Sequence, residues 1–190
     1  VNGTASHAGQ SVAIDLSANH RTVKYFLGKP FNLSTGINIS NEGSEMSYTN
    51  TGTRDFLPMN LRIGQAADFI LDERNSISFC FDLNKLLVPT PPVYQIGANG
   101  QPIINPATGG YVILYGSNPN VNIFQAIPLS FHDAPGGMRE ELNEIIICGG
   151  LEYWYGKPKI FCGRMGYFNE AATKGNRKYF TFGIGFKYKT

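Results

Sequence analysis

The chain contains no run of about 20 apolar residues, so a membrane-spanning helix is not available to it. Cysteine is scarce. Cys80, Cys148 and Cys162 form neither a CxxC pair nor a Cys/His metal pattern, and they read as small buried thiols. Cys148 and Cys162 fall on adjacent predicted strands. A tight turn near Gly156 would leave them about four residues out of register, too far apart for a disulfide at ~3.3 Å per residue. Histidine is limited to His7, His20 and His132, and no GxSxG elbow, HExxH helix, P-loop or acidic calcium loop occurs. No nucleophile–base pair can be named, so no enzyme activity, metal or cofactor is expected. A surplus of charge is also lacking. With a net charge of +2 the chain has no basic footprint for nucleic acid. No signal peptide is visible. The abrupt start at Val1 and the strand-like sequence running to Thr190 read as part of a longer protein, although 190 residues suffice for one domain with a real core.

What the chain has is alternation at a period of two, in seven stretches. The clearest runs from Ser76 to Leu87. Ile77, Phe79, Phe81, Leu83 and Leu87 point one way, and Ser76, Ser78, Cys80, Asp82 and Asn84 the other, because successive side chains of a strand go to opposite faces. Before it come stretches at about 11–22 (Val12, Ile14, Leu16, Ala18), 31–40 (Leu33, Ile37, Ile39) and 59–71 (Leu61, Ile63, Ala67, Phe69, Leu71). The second of these is expected to run on towards Tyr48. After it come stretches at about 143–155 (Ile145, Ile147, Leu151, Tyr153, Tyr155), 159–168 (Phe161, Met165, Tyr167) and 179–188 (Phe180, Phe182, Ile184, Phe186, Tyr188). The polar segment 72–75 and the Gly156–Lys157–Pro158 segment read as hairpin turns.

The placement of charge separates two architectures. Asp15, Arg21, Arg62, Asp68, Asp82, Glu144, Glu152, Arg164 and Lys187 all fall on the polar phase. Lys85 is the exception, placed near a strand end from which it could reach lipid headgroups. A soluble sandwich also alternates, but its apolar faces cover each other. Tyrosines near strand ends (Tyr153, Tyr155, Tyr167, Tyr188) resemble an interfacial girdle. Charges of both signs crowd the other face, and a charge facing lipid at mid-depth would cost ~2–4 kcal/mol. The pattern predicts an all-β, antiparallel transmembrane barrel, lipid outside and a polar interior. Open strand edges are not tolerated in lipid, so seven strands imply that the rest of the barrel lies outside this sequence.

The connection at 88–142 is too long for an ordinary loop. It is rich in Pro, Gly and Asn, yet holds Tyr94, Tyr111, Val112, Ile113, Leu114, Tyr115, Val121, Ile123, Phe124 and Ile127. It reads either as a surface loop packed on itself or as a partner-binding element with exposed aromatics inside a polar rim. The candidate contact residues are Tyr94, Tyr111, Ile113, Tyr115, Ile123 and Phe124. Glu140, Glu141 and Leu142 after Gly137 suggest a short helix. On the polar phase, Asp82 lies beside Arg62 and Glu152 beside Arg164. Such groups either work as catalytic carboxylates or, as interior charges of a barrel, satisfy each other. His20 is expected near a strand end on the outer face.

DLNKLLVPTPP from Asp82 to Pro92 resembles a signature of the PorV family, also called LptO, the outer-membrane barrel of the type IX secretion system of Bacteroidetes. GINISNEGSEMSYT from Gly36, FLPMNLRIG from Phe56 and GGLEYWY from Gly149 resemble it too, as do the following GRMGYF and KGNRKYFTFGIGFKY. The resemblance extends from about Ser11 to Tyr188 and is weakest in the long connection. It implies a FadL-like barrel of fourteen strands, of which about seven are present here as a single domain over 1–190, with the first strands and the last pair missing and 88–142 inserted as a loop. Strand parity would then put that loop outside the cell with 41–55 and 169–178, and the turns at 72–75 and 156–157 in the periplasm. The implied function is to bind the C-terminal signal of secreted cargo and carry it from the SprA translocon to the PorU sortase of the attachment complex. The implied surroundings are outer-membrane lipid. The alternatives are a FadL-like channel for hydrophobic small molecules and an outer-membrane lipopolysaccharide deacylase.

Overall fold

The computed structural model describes residues 7–47, 55–118 and 121–188. Nine strands and two short helices follow in the order β1 (Ala13–Phe26), β2 (Lys29–Gly43), β3 (Asn60–Ile70), β4 (Asn75–Leu86), β5 (Val93–Tyr94), β6 (Ile113–Tyr115), α1 (Ile123–Leu129), α2 (Met138–Asn143), β7 (Ile146–Tyr155), β8 (Phe161–Asn169) and β9 (Lys178–Phe186). A 3-10 turn at Ala172–Lys174 precedes β9. Seven of these strands form one antiparallel sheet in the order β1-β2-β3-β4-β7-β8-β9. Every alternating stretch of the sequence has become one of them. The second stretch runs on past Ser40 only to Gly43, and Tyr48 itself lies outside the described residues.

The sheet is not closed into a barrel. β1 and β9 each have one neighbour, so among the described residues the sheet neither closes nor reaches fourteen strands. The chain divides into two compact units. One comprises Val1–Asp15, Ser40–Asn60 and Leu86–Leu142. The other comprises Leu16–Ile39, Leu61–Lys85 and Asn143–Thr190 and carries most of the seven-stranded sheet.

In the sheet unit, local chemistry sets the turns. Leu27 and Gly28 both have positive φ (49° and 76°), the combination a two-residue hairpin needs to match strand twist. At the next hairpin Asp72 Oδ1 accepts from the backbone N–H groups of Arg74 (2.8 Å) and Asn75 (2.9 Å), which closes the turn. The Arg74 N–H bond, then the Asn75 side chain, holds the Asp72 carboxyl below its ordinary range.

Four expectations need correction. β1 runs to Phe26, four residues past the predicted end, because alternation inverts there. Lys24 takes the apolar parity while Val23 and Tyr25 take the polar one. His20 is therefore mid-strand and exposed, not near an end. Cys162 pairs in register with Trp154, six positions along β7 from Cys148 rather than four, and of the three free thiols only Cys162 is buried as expected, Cys148 being half-buried and Cys80 exposed. Leu87 lies beyond β4 and is buried, and its N–H donates to the Met59 carbonyl at 2.8 Å.

The other unit is held by a small core and polar pins. Met59, Leu87, Ala126 and Ala134 are buried. Asp133, itself buried, accepts from the Thr90 N–H (2.8 Å) and hydroxyl (3.2 Å), tying the start of the long connection to its later part. Glu141, on α2, reaches back to accept from the Ala134 N–H at 2.8 Å. The short helix expected after Gly137 is present as α2. α1 was not anticipated. Asn122 caps it and Gln125 returns the bond, a reciprocal capping box. Its sequence signal, Asn followed three residues later by Gln, stood inside what reads as an apolar cluster.

Candidate functional site

Three surfaces carry the chemistry. The first is the apolar face of the sheet. Register pairing lines up Phe79, Leu151, Met165 and Phe182 across four strands, and beside them Phe81, Gly149, Tyr167 and Phe180. The rings pack laterally: Phe31 stacks on Phe69 with centroids 4.7 Å apart, Phe69 meets Phe79 edge-on at 6.2 Å, and Tyr167 lies 4.8 Å from Phe180. They nevertheless stay open to the surroundings. Phe79 and Phe81 are nearly half exposed, and Phe182 is 78% exposed. So large a continuous apolar surface marks an interaction site, not a water-facing one.

The second surface is the polar face. Ser78, Glu152, Arg164 and Gly183 form one register row, and Cys80, Gly150, Gly166 and Thr181 the next. Glu152 and Arg164 are joined in an ion pair, and the same carboxylate accepts from the Trp154 indole N–H. Arg21 and Asp68 pair at 3.0 Å. Arg62 donates to Asn84 Oδ1 at 2.6 Å rather than to Asp82. The Asp82 carboxylate instead lies over Gly64, where a Cβ would meet its oxygen at 2.0 Å, so glycine there makes the room. A cavity of about 360 Å³ on this face is lined by Asn19, Asn38, Arg62, Gln65, Cys80 and Asp82, among others. Its amides, the Arg62 guanidinium and the Asp82 carboxylate offer hydrogen bonds but no nucleophile with a base. Among the described residues no group of His, Cys, Asp or Glu could hold a metal ion.

Lys85 does not reach for headgroups. It is buried, and its ammonium donates to Glu144 at 2.6 Å. Lys174 meets the other oxygen of the same carboxylate at 2.9 Å. Glu144 precedes β7 rather than lying within it. Burial would raise its pKa, but hydrogen bonds from Lys85 and Lys174 outweigh that and hold it below the ordinary value. In the 170–177 connection, buried Glu170 takes two 2.8 Å bonds from Arg177, which lower its pKa. Sequence reasoning missed the first cluster because Lys85, Glu144 and Lys174 come from three distant segments, and the second because Glu170 and Arg177 sit in a loop without periodicity.

The third surface belongs to the long connection. β5 and β6 pair Val93 with Tyr115 and Tyr94 with Ile113. The Tyr111 ring meets Tyr94 edge-on at 5.2 Å. Four of the candidate contact residues, Tyr94, Tyr111, Ile113 and Tyr115, thus gather on one ribbon, where Tyr111 and Tyr115 are about half exposed. Ile123 and Phe124 are on α1 and line a different feature, a cavity of about 490 Å³ that they share with Phe56.

No helix of the described residues is long and apolar enough to cross a membrane, which leaves crossing by strands open. Among curated proteins none matches the chain. The family model described as type IX secretion system protein PorV matches residues 1–93. That stretch spans β1 to β4 and reaches the first residue of β5. Over residues 1–93, just under half of its length, the chain is similar to the type IX secretion system protein PorV.

Proposed function

We propose that this chain is part of an outer-membrane barrel that binds the C-terminal signal of secreted cargo and carries it from a SprA-type translocon to a PorU-type attachment complex. The observation that carries the reading is the family match over residues 1–93. The bare apolar sheet face supports it, because that face suits hydrocarbon. So does the ribbon with Tyr94, Tyr111, Ile113 and Tyr115, which suits a protein partner because aromatics in a polar setting are the usual anchors of interfaces. Arg62, Asp82, Glu152 and Arg164 take a structural part as interior charges. The long connection and residues 169–178 face the outside of the cell, and the short turns face the periplasm. A channel for hydrophobic molecules fits less well, since the polar face carries amides and ion pairs where such a ligand would pass.

The test is capture from detergent extracts. The full chain is expected to retain signal-domain cargo and a very large barrel protein. A variant lacking residues 95–127 is expected to lose the cargo. Cargo retained by that deletion would reject the role of the long connection. Purification with bound lipid alone would favour the channel.

A further inference from the structure

At the end of the sheet where the tight turns lie, two charges break the sorting of the strands. Lys24 of β1 and Lys29 of β2 take the apolar parity, and both are exposed. The two-residue turn at Leu27–Gly28 sets Phe26 opposite Lys29 and Lys24 opposite Phe31, the ring that stacks on Phe69. Both lysines therefore stand beside the aromatics of the apolar face. Lys29 also lines a groove of about 370 Å³ on that face, walled by Phe26, Leu27, Phe69, Leu71, Ile77 and Phe79. All of these residues belong to the sheet unit. Neither lysine has a hydrogen-bonding or ionic partner among the described residues. The acids of the adjoining hairpin are already engaged, Asp72 by Arg74 and Asn75 of its own turn and Glu73 by Lys157 at 2.7 Å. The corner thus joins an apolar groove to uncompensated positive charge.

One molecule must answer both characters. Free phosphate gains nothing from the walls, and a neutral lipid leaves the ammonium groups unanswered. A peptide strand would press its N–H and C=O groups against side chains that cannot bond them, which is unfavourable. An acyl chain carries no such groups and gains from every methylene it buries. The lysine stems lie along apolar surface while their heads reach a headgroup. We infer that this corner is a binding site for an anionic glycerophospholipid. One acyl chain fills the groove, and Lys24 and Lys29 hold the phosphate. The inference rests on the membrane reading above, in which the short turns face the periplasm, and it names the headgroup chosen in that leaflet.

The test uses the full chain in a nonionic detergent, stripped of co-purified lipid. The probes are a fluorescent phosphatidylglycerol and a fluorescent phosphatidylcholine with the same acyl chains. Phosphatidylglycerol is expected to bind about tenfold tighter, through the attraction of two lysines to one anionic headgroup. That preference is expected to vanish in K24Q/K29Q and to survive in K24R/K29R. It should also survive in K178Q, whose lysine takes the apolar parity at the opposite end of the sheet. I77W, which fills the groove, is expected to weaken both probes. Equal binding of the two probes, an unchanged preference in K24Q/K29Q, or its loss in K178Q overturns the proposal. So does full binding in I77W, or a photoactivatable residue in place of Ile77 that crosslinks to protein instead of lipid in bilayers. Insertion into phosphatidylcholine bilayers is scored in parallel. A wild type that inserts but shows no preference rejects the site and leaves the membrane reading intact. A wild type that does not insert rejects the membrane reading and, with it, this lipid. Unchanged circular dichroism of the variants separates loss of binding from loss of fold.

Discussion

The two units treat apolar residues differently. Met59, Leu87, Ala126 and Ala134 are buried and belong to the unit built from the long connection and its neighbours, which has a small core although Phe124, Met138 and Ile104 stand exposed on it. In the sheet unit the buried apolar residue is Cys162, and it sits on the polar face among Ser76 and Trp154, while Phe, Ile and Leu side chains stand open on the other side. Its ion pairs face the same way as Cys162. A sheet that gathers its cross-strand ion pairs on one face and leaves its aromatics bare on the other has the two-faced pattern of a strand wall beside lipid.

The comparison can be broken first at Glu144. Its replacement by Ala removes a carboxylate from buried Lys85 and is expected to cost ~3–5 kcal/mol, as loss of one partner of a buried pair does. Unfolding in detergent would measure it. The same carboxylate gives a sign for pH. Its folded pKa lies below the ordinary 4.5. The unfolded state therefore binds the proton first, and stability from this group is full above about 4.5 and lost as pH falls through the lower folded value. In Glu144→Gln the acid branch of the stability curve should flatten in that window.

The second break is on the sheet faces. Phe81→Arg is expected to cost ~2–4 kcal/mol at mid-depth in lipid and to block membrane assembly. Thr181→Arg, on the polar face, should assemble. A water-soluble sheet would tolerate the first change, because Phe81 is already nearly half exposed. A third, smaller effect sharpens the other side of the comparison. Asn122→Ala should cost ~1 kcal/mol through the lost cap of α1 and raise hydrogen exchange there alone, leaving the sheet amides unchanged. The smallest effect is expected at Arg21→Ala. The pair with Asp68 is well exposed and worth at most ~1 kcal/mol, and added salt should erase the difference from wild type.

The sheet was legible because each strand states its own two faces. Ile77, Phe79 and Phe81 against Ser78, Cys80 and Asp82 need no distant residue to be read, and all seven strands appeared where alternation put them. Ends were legible only while alternation lasted, which is why β1 was cut short at Thr22. Strand ends meet water on both sides, so Val23, Lys24 and Tyr25 are free to break the rule. Lys85 misled for the converse reason. Its parity pointed outward, but its partner Glu144 lies 59 residues on, and no local pattern announces such a pair. The candidate contacts were half legible. Aromatic content drew attention to Tyr94, Tyr111 and Phe124, but their division between a ribbon and a capped helix depends on backbone pairing such as Gln95 with Val112, which composition does not encode.

The most direct test of the account is a nitroxide scan along β4, residues 77–83, in a background lacking the native cysteines and reconstituted in lipid bilayers. The account predicts that labels at 77, 79, 81 and 83 collide with oxygen dissolved in the lipid, while those at 78, 80 and 82 collide with a water-soluble nickel chelate, a period of two across the whole strand. Labels at 79 and 81 that are reached by the chelate, or shielded from both probes by protein, would contradict it.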